Sequence, residues 1–319
     1  MRNGATGSER PRFLQPSALQ PSALQASHSE ADRVEAVRIG GLDTAMVTRA
    51  GLAQRMVADA IAARGSRGAA LPKLIFSSNG QGISLAATSR RFAGAMASAD
   101  LIHADGMSVV VASRLLTSTP LPERIATTDF FHDAAKAAQE AEISFFLLGG
   151  SEEENAAACA AARRLYPRLK IAGRRHGYFA ESATADVCRS IVDSGAEVLW
   201  VALGKPRQEF WSIQNRERLR GVAWIKTCGG LYAFLAERRR RAPLWMQHAG
   251  LEWAFRAMQE PSRLGWRYLA TNPHALWRMV VDSKALAARP AFGGGGAVGG
   301  PAPGFRAGSA GGREDGYGR

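Results

Sequence analysis

Cysteine is scarce: Cys159, Cys188 and Cys228 are the only three in 319 residues, with no CxxC pair and no histidine at ligand spacing. A structural zinc site and a disulfide framework are therefore not expected, and unpaired thiols fit a reducing, cytoplasmic compartment. Long apolar runs are missing too. No stretch approaches the ~18–20 apolar residues of a membrane-spanning helix, and the first residues lack the continuous apolar segment of a secretory signal, so any membrane contact should be peripheral. Acidic residues are in deficit, 28 against 41 Lys plus Arg, a net charge of +13 that favours anionic partners. Outside a glycine-rich tail neither G-x-G-x-x-G nor G-x-x-x-x-G-K-[ST] occurs, because Gly204-Lys205 runs into Pro206. Ordinary dinucleotide binding and P-loop hydrolysis lose ground accordingly. There is also no D-x-D triplet to hold a divalent metal.

What is present is unevenly distributed. Residues 237–289 hold ten basic and four acidic side chains, an excess of six, which equals that of the 201 residues before them. Residues 1–35 carry balanced charge and a tandem LQPSA repeat whose prolines break periodic structure; they read as a disordered leader. Residues 290–319 contain twelve glycines, and ordering such a chain costs more backbone entropy than it can recover, so a disordered tail is expected.

Between the tails, short apolar runs at 73–77, 100–104, 143–148, 168–172, 197–203 and 222–227 alternate with helical stretches of about a dozen residues. One such stretch, 151–165, opens with Ser151 and Glu154 at capping-box spacing. The alternation predicts an α/β, Rossmann-like, mostly parallel sheet with helices on both faces over residues 36–236, preceded by a small hairpin at 36–48. Residues 237–289 show no strand pattern. They carry RRRR at 238–241, prolines at 243, 261 and 273, and Trp245, Trp253, Trp266 and Trp277, which predicts a basic C-terminal appendage of short amphipathic helices.

In a doubly wound sheet ligands bind beyond the carboxyl ends of the strands. The polar sets expected there are Ser77 to Gly80, Asp105-Gly106, Gly149-Gly150-Ser151 and Gly204 to Glu209. Gly149 and Gly150 would let backbone approach a ligand, with the following helix start facing an anion, although a tight strand-to-helix turn with an N-cap is the favoured reading of a lone glycine pair. Asp105 is placed to accept a proton from a substrate hydroxyl. By itself Asp-Gly is also a common turn; Arg124, Thr128, Asp129, Gln208 and Glu209 are what give it company at the same edge.

The strings HADGMSVV, ERIATTDF, LLGG, GYF, LGKPRQE, RRRRAP, GLEWAFR and EPSRLGWRY, in this order, resemble the WecG/TagA/CpsF family of bacterial glycosyltransferases from about residue 36 to 280. The resemblance implies inverting, metal-independent and cofactor-free transfer of a sugar, often N-acetylmannosamine, from a UDP-sugar to a polyprenyl-diphosphate-linked saccharide during surface polysaccharide assembly. It also implies that Asp105 is the general base, with Ser77 standing for a usual Thr and Arg124 for a loop Arg in the catalytic set. Gln208 and Glu209 match a polar pair near the donor, Asn79 matches a substrate-binding Asn after the first core strand, and Arg241, Arg256, Arg263 and Arg267 match arginines of the appendage. Thr128, Asp129, Gly149 and Gly150 complete the expected substrate-binding set.

Two departures stand out. TCGGLYAF replaces a usual GVGGxFDF, so Ala233 takes the place of an Asp and Tyr232 of a Phe, and Glu237 stands where a Gly is usual. Physically, Arg side chains and helix N-termini can replace a metal in holding a diphosphate. Trp interleaved with Arg suits a lipid headgroup interface, and the expected location is the inner face of the cytoplasmic membrane. Family members can self-associate, so a homo-oligomer is an expected state. The competing reading is a non-enzymatic nucleic-acid binder that uses RRRR and the tryptophans; it leaves the strand-end polar set unexplained, and nucleic acid is not an expected partner.

Overall fold

The computed structural model describes residues 34–66 and 68–285, so the expected leader and glycine-rich tail lie outside the described residues apart from Val34 and Glu35. Each apolar run becomes a strand: β3 (Lys73–Ser78), β4 (Leu101–Ala104), β5 (Ser144–Gly149), β6 (Lys170–Arg175), β7 (Val198–Ala202) and β8 (Trp224–Thr227). They pair in parallel in the order β4-β3-β8-β7-β5-β6. Every residue of β7 is buried, as expected of a parallel strand covered on both faces. β6 departs from the expected buried pattern because it forms the sheet edge, where one side has no neighbour and lysine and arginine can reach water.

The hairpin β1 (Ala36–Ile39) and β2 (Leu42–Ala45) precedes α1 (Arg49–Gly65), whose N-cap Thr48 accepts from the Gly51 amide at 3.0 Å. Between β3 and β4 lie α2 (Gly80–Thr88) and α3 (Arg90–Ala97); α4 (Met107–Leu116) and α5 (Thr127–Glu140) follow β4. α6 (Glu152–Leu165) joins β5 to β6, α7 (Thr184–Asp193) joins β6 to β7, and α8 (Arg207–Gln214) joins β7 to β8. One apolar core sets α1, α5 and α6 against one face, where Trp200 is ringed by Phe130, Phe131 and Phe145 at 5.0–5.8 Å. The other packs α2, α3, α4, α7 and α8 on the opposite face. The connections leaving β5 and β7 run in opposite directions, which opens a crevice at their carboxyl ends.

Residues beyond β8 form α9 (Leu231–Leu235), α10 (Leu244–His248), α11 (Glu252–Gln259), a π-turn at Pro261–Gly265 and α12 (Trp266–Val281). These are the expected short helices, with two additions. α12 packs along α2 and contributes Ala275 and Met279 to the second core. A final strand that the sequence pattern does not reveal, β9 (Lys284–Ala285), pairs antiparallel with β1. Two residues are too few for an alternating pattern to show, and the pairing is supplied by the partner strand.

Candidate active site

Four strand ends converge. β3 and β4 run in register, with Ser77 opposite His103 and Ser78 opposite Ala104, and the Asp105 amide donates to the Ser78 carbonyl at 2.9 Å. Asp105 is thereby fixed where β4 ends, half-buried, beside Gly106, whose Cβ position would lie 3.5 Å from Asn79 Cβ. Its Oδ1 accepts from the Thr127 amide at 2.9 Å, at the start of α5, where the positive end of the helix dipole favours a carboxylate. Oδ2 accepts no hydrogen bond among the described residues.

Arg124 locks this geometry. Its Nε donates to the Asp105 carbonyl at 2.8 Å and a terminal nitrogen donates to Glu252 of α11 at 2.7 Å. Arg241 closes the same network from the appendage, donating to Thr128 Oγ1 at 2.5 Å, Asp129 Oδ1 at 2.7 Å and Gln247 Oε1 at 2.6 Å, with Glu252 3.2 Å away. Asp105, Arg124, Thr128, Asp129 and Arg241 therefore form one connected group. Arg124 fixes Asp105 through backbone and bridges to the appendage.

A second group lies across Gly106. Lys205 Nζ sits 3.1 Å from Glu209 Oε1 and donates to the Ser77 carbonyl at 3.1 Å, with both side chains almost wholly out of water. Gln208 donates to the same carboxylate oxygen at 3.0 Å and accepts from the Gly229 amide at 3.0 Å, which ties α8 to the turn after β8. Glu209 Oε2 is buried without a hydrogen-bond partner and stays available as an acceptor. Asn79 has a local duty: its Oδ1 caps α2 by accepting from Gly82 at 2.9 Å.

Gly149 and Gly150 have positive φ, +120° and +68°. A Cβ on Gly149 would fall 2.3 Å from the Ala202 carbonyl oxygen, so close strand approach alone demands glycine there. The following helix start carries Glu152, Glu153 and Glu154, so its dipole already meets the chain's own carboxylates, and Ser151 accepts from the Glu154 amide while donating to Glu153. The crevice here offers carboxylate and backbone groups suited to hydroxyls more than to a phosphate.

The remaining arginines separate. Arg256 stacks over Phe234 at 5.5 Å and, with Arg239, reaches the Gly229-Gly230 turn: a Cβ on Gly230 would lie 3.3 Å from Arg239 and 4.0 Å from Arg256. Arg267 instead lies over Tyr268 on α12, 5.0 Å from the ring centre. The side chain of Arg263 falls outside the described residues.

The structure adds residues that the strand-end reading passed over. Lys226 is fully buried inside β8, its ammonium donating to the Thr227 carbonyl at 2.6 Å, and burial pulls its pKa down to about 8. His103 is fully buried with neither ring nitrogen partnered; burial first, then the Lys226 and Lys205 cations, hold it well below the usual imidazole range. A lysine in the middle of VAWIKT was the available signal for the first; nothing in HADG distinguished the second. Tyr232 uses its hydroxyl internally, donating to the Trp200 carbonyl at 2.8 Å, and Ala233 is buried. Glu237 adopts φ +56°, a left-handed position that explains why glycine suits it. Among the described residues no three His, Cys, Asp or Glu side chains come together as a metal site requires, and no helix is long and apolar enough to cross a membrane.

With this geometry in place, similarity to known proteins becomes informative. The chain is 30% identical over 197 residues to an N-acetylglucosaminyldiphosphoundecaprenol N-acetyl-beta-D-mannosaminyltransferase of Bacillus spizizenii strain W23, covering 62% of this chain and 74% of that protein. A protein of the same description from Bacillus subtilis strain 168 is 30% identical over 189 residues, 59% of this chain and 72% of its own length. Residues 37–289 match the profile of the glycosyl transferase WecG/TagA/CpsF family, hairpin and C-terminal helices included. A parallel sheet with an anchored carboxylate at its carboxyl edge, matched along nearly all of its described length, thus belongs to the WecG/TagA/CpsF family of glycosyltransferases.

Proposed function

We propose that this glycosyltransferase moves a sugar from a UDP-sugar to a polyprenyl-diphosphate-linked N-acetylglucosamine acceptor, with inversion and without a metal, in the assembly of a bacterial surface or exopolysaccharide. The acceptor class follows the names of both Bacillus relatives. The observation that carries the chemistry is Asp105, one carboxylate oxygen held by the Thr127 amide and its backbone held by Arg124. In a single displacement the acceptor hydroxyl oxygen forms a bond to the anomeric carbon, its proton passes to Asp105, and the bond from that carbon to the diphosphate oxygen breaks with UDP leaving. Arg256, stacked over Phe234 and 4.0 Å from a Cβ placed on Gly230, supplies fixed positive charge for the leaving diphosphate, the duty a metal performs elsewhere.

UDP-N-acetylmannosamine is the first donor to test. Ala233 offers no carboxylate where the resemblance expects Asp, so UDP-hexoses lacking the N-acetyl group belong in the same screen. The enzyme is proposed to work peripherally on the inner face of the cytoplasmic membrane, alone or as a homo-oligomer, because Trp245, Trp253, Trp266 and Trp277 are exposed on the appendage among its arginines. The nucleic-acid reading is not favoured, since Arg239 and Arg241 of the tetrad already pair with Glu260 and Asp129.

Release of UDP with a short-chain polyprenyl-diphosphate N-acetylglucosamine tests the base. Asp105→Asn keeps an oxygen for the Thr127 amide, so the fold survives, and turnover should fall by about 10²–10⁴. Unchanged turnover in that variant rejects Asp105 as the base.

A further inference from the structure

At the crevice between β5 and β7, where the connections part, α6 begins with three consecutive carboxylates. Two of them are engaged within the chain. Glu152 pairs with Arg174 of β6 at 2.7 Å, and Glu153 accepts from Ser151 Oγ at 2.7 Å. Glu154 is different. Its spacing from Ser151 predicts a capping box, in which the glutamate side chain turns back to the Ser151 amide. Only half of the box forms: the Glu154 amide donates to Ser151 Oγ at 3.1 Å, while the Glu154 carboxylate has no hydrogen-bond or ion-pair partner among the described residues.

That carboxylate turns to the crevice instead. Its Oε2 lies 3.5 Å from the Cβ position of Gly150, and the Tyr232 ring stands 3.4 Å from the same point. The other polar groups here are already bonded: the Gly150 amide donates to the Ala202 carbonyl at 3.1 Å, the Gly150 carbonyl accepts from the Gly177 amide at 2.8 Å, and the Tyr232 hydroxyl donates to the Trp200 carbonyl. Ala233, next along α9, adds no carboxylate. Half-buried Glu154 is therefore the acceptor this wall offers a ligand. It repels phosphate, and its two oxygens can accept from two adjacent hydroxyls at once.

Position along the sheet edge selects the hydroxyls. Asp105 follows β4, the Gly229-Gly230 turn beside Arg256 follows β8, and Gly150 follows β5, so each is two strands from the next, on the order of 10 Å. Reacting carbon, diphosphate and ribose succeed one another in the same order in a nucleoside-diphosphate sugar. We infer that Glu154 accepts from the ribose 2′ and 3′ hydroxyls of the donor nucleotide and thereby sets a preference for ribonucleotides over deoxyribonucleotides. The inference rests on the UDP-sugar donor proposed above and gives the nucleoside end of that donor a named recognition residue.

The test measures binding of UDP, 2′-deoxy-UDP, UDP-N-acetylmannosamine and inorganic pyrophosphate to the full chain and to the variants Glu154→Ala, Glu154→Gln and Glu152→Gln, with a circular dichroism melt as the check on folding. The wild type should hold UDP about tenfold more tightly than 2′-deoxy-UDP, the worth of one hydrogen bond to a charged group. Glu154→Ala should weaken UDP until the two differ by no more than about twofold, and Glu154→Gln should keep part of the difference, since an amide oxygen still accepts. Pyrophosphate should not respond. Glu152→Gln removes charge from the same helical turn and should leave the discrimination intact. Undiminished discrimination in Glu154→Ala overturns the inference. So does an equal loss for UDP, 2′-deoxy-UDP and pyrophosphate, the mark of a disturbed helix start, or a loss for UDP-N-acetylmannosamine with UDP unaltered, which would move the contact to the hexose. A wild-type chain that binds no UDP rejects the donor class and this inference together, whereas UDP bound with a discrimination independent of Glu154 rejects this inference alone.

Discussion

Lys226 stands in a strand otherwise made of Trp, Ile and Thr, fully buried, with a carbonyl as its hydrogen-bond acceptor. Keeping an ammonium there costs stability, and the sign of the pH dependence follows. Its pKa falls from 10.5 to about 8 on folding, so between those values the unfolded chain binds more protons. The native state therefore carries the full penalty below pH 8 and sheds it as the pH rises to about 10.5, a difference on the order of 3 kcal/mol. Cys228, pushed up to about 12 by burial, acts oppositely, losing its stabilisation as the pH climbs past the ordinary thiol range. The wild-type curve alone thus conceals the lysine. Lys226→Met should raise the thermal midpoint at pH 7, and this advantage should shrink toward pH 10; equal midpoints at pH 7 would show that the ammonium is not penalised. A stabilised but less active Lys226→Met would mark the cation as retained for the site beneath Asp105.

At the scale of elements, the crevice between β5 and β7 depends on glycine geometry more than on ligand chemistry. Gly149→Ala must move the Ala202 backbone, which belongs to the central sheet, and should cost more than about 3 kcal/mol in urea unfolding. Gly195 also has positive φ, +68°, but meets nothing within 4 Å, and Gly195→Ala should cost only about 1 kcal/mol. A similar cost at the two positions would mean that φ alone, and not close strand approach, makes position 149 glycine. The turn alternative for Gly149-Gly150 was visible in the sequence. What decided for it at Gly149 was a neighbour 53 residues away, which no local pattern contains.

For the whole molecule the question is whether the C-terminal helices are a separable device. The sequence suggests a detachable segment, with a body that folds without it. The structure buries Ala275 and Met279 of α12 in a core with Ile83 and Val37, and pairs β9 with β1. Deleting residues 237–289 should therefore lower stability and uncover apolar surface on α2, seen as a lower midpoint and increased dye binding. An unchanged midpoint would show that the α/β body stands alone. The exposed indoles can be tested without truncation. Trp266→Ala with Trp277→Ala, both more than half exposed, should change the unfolding free energy by no more than about 0.5 kcal/mol each while reducing partition onto anionic vesicles severalfold. Partition equal to wild type would remove these two rings from the membrane-facing surface.

The sequence by itself determined the six central strands, the helices between them, and the strand-end placement of Asp105, because these rest on local periodicity and on the rule that parallel strands end on one edge. It also supplied the family, since the strings that carry the resemblance are local. It could not show that Arg241 and Arg124 meet at Glu252, or that Lys205, Glu209, Lys226 and His103 are buried near the same edge. Those facts arise from contacts between residues tens to more than a hundred positions apart, and only packing decides which charges lose their water and which partners they find.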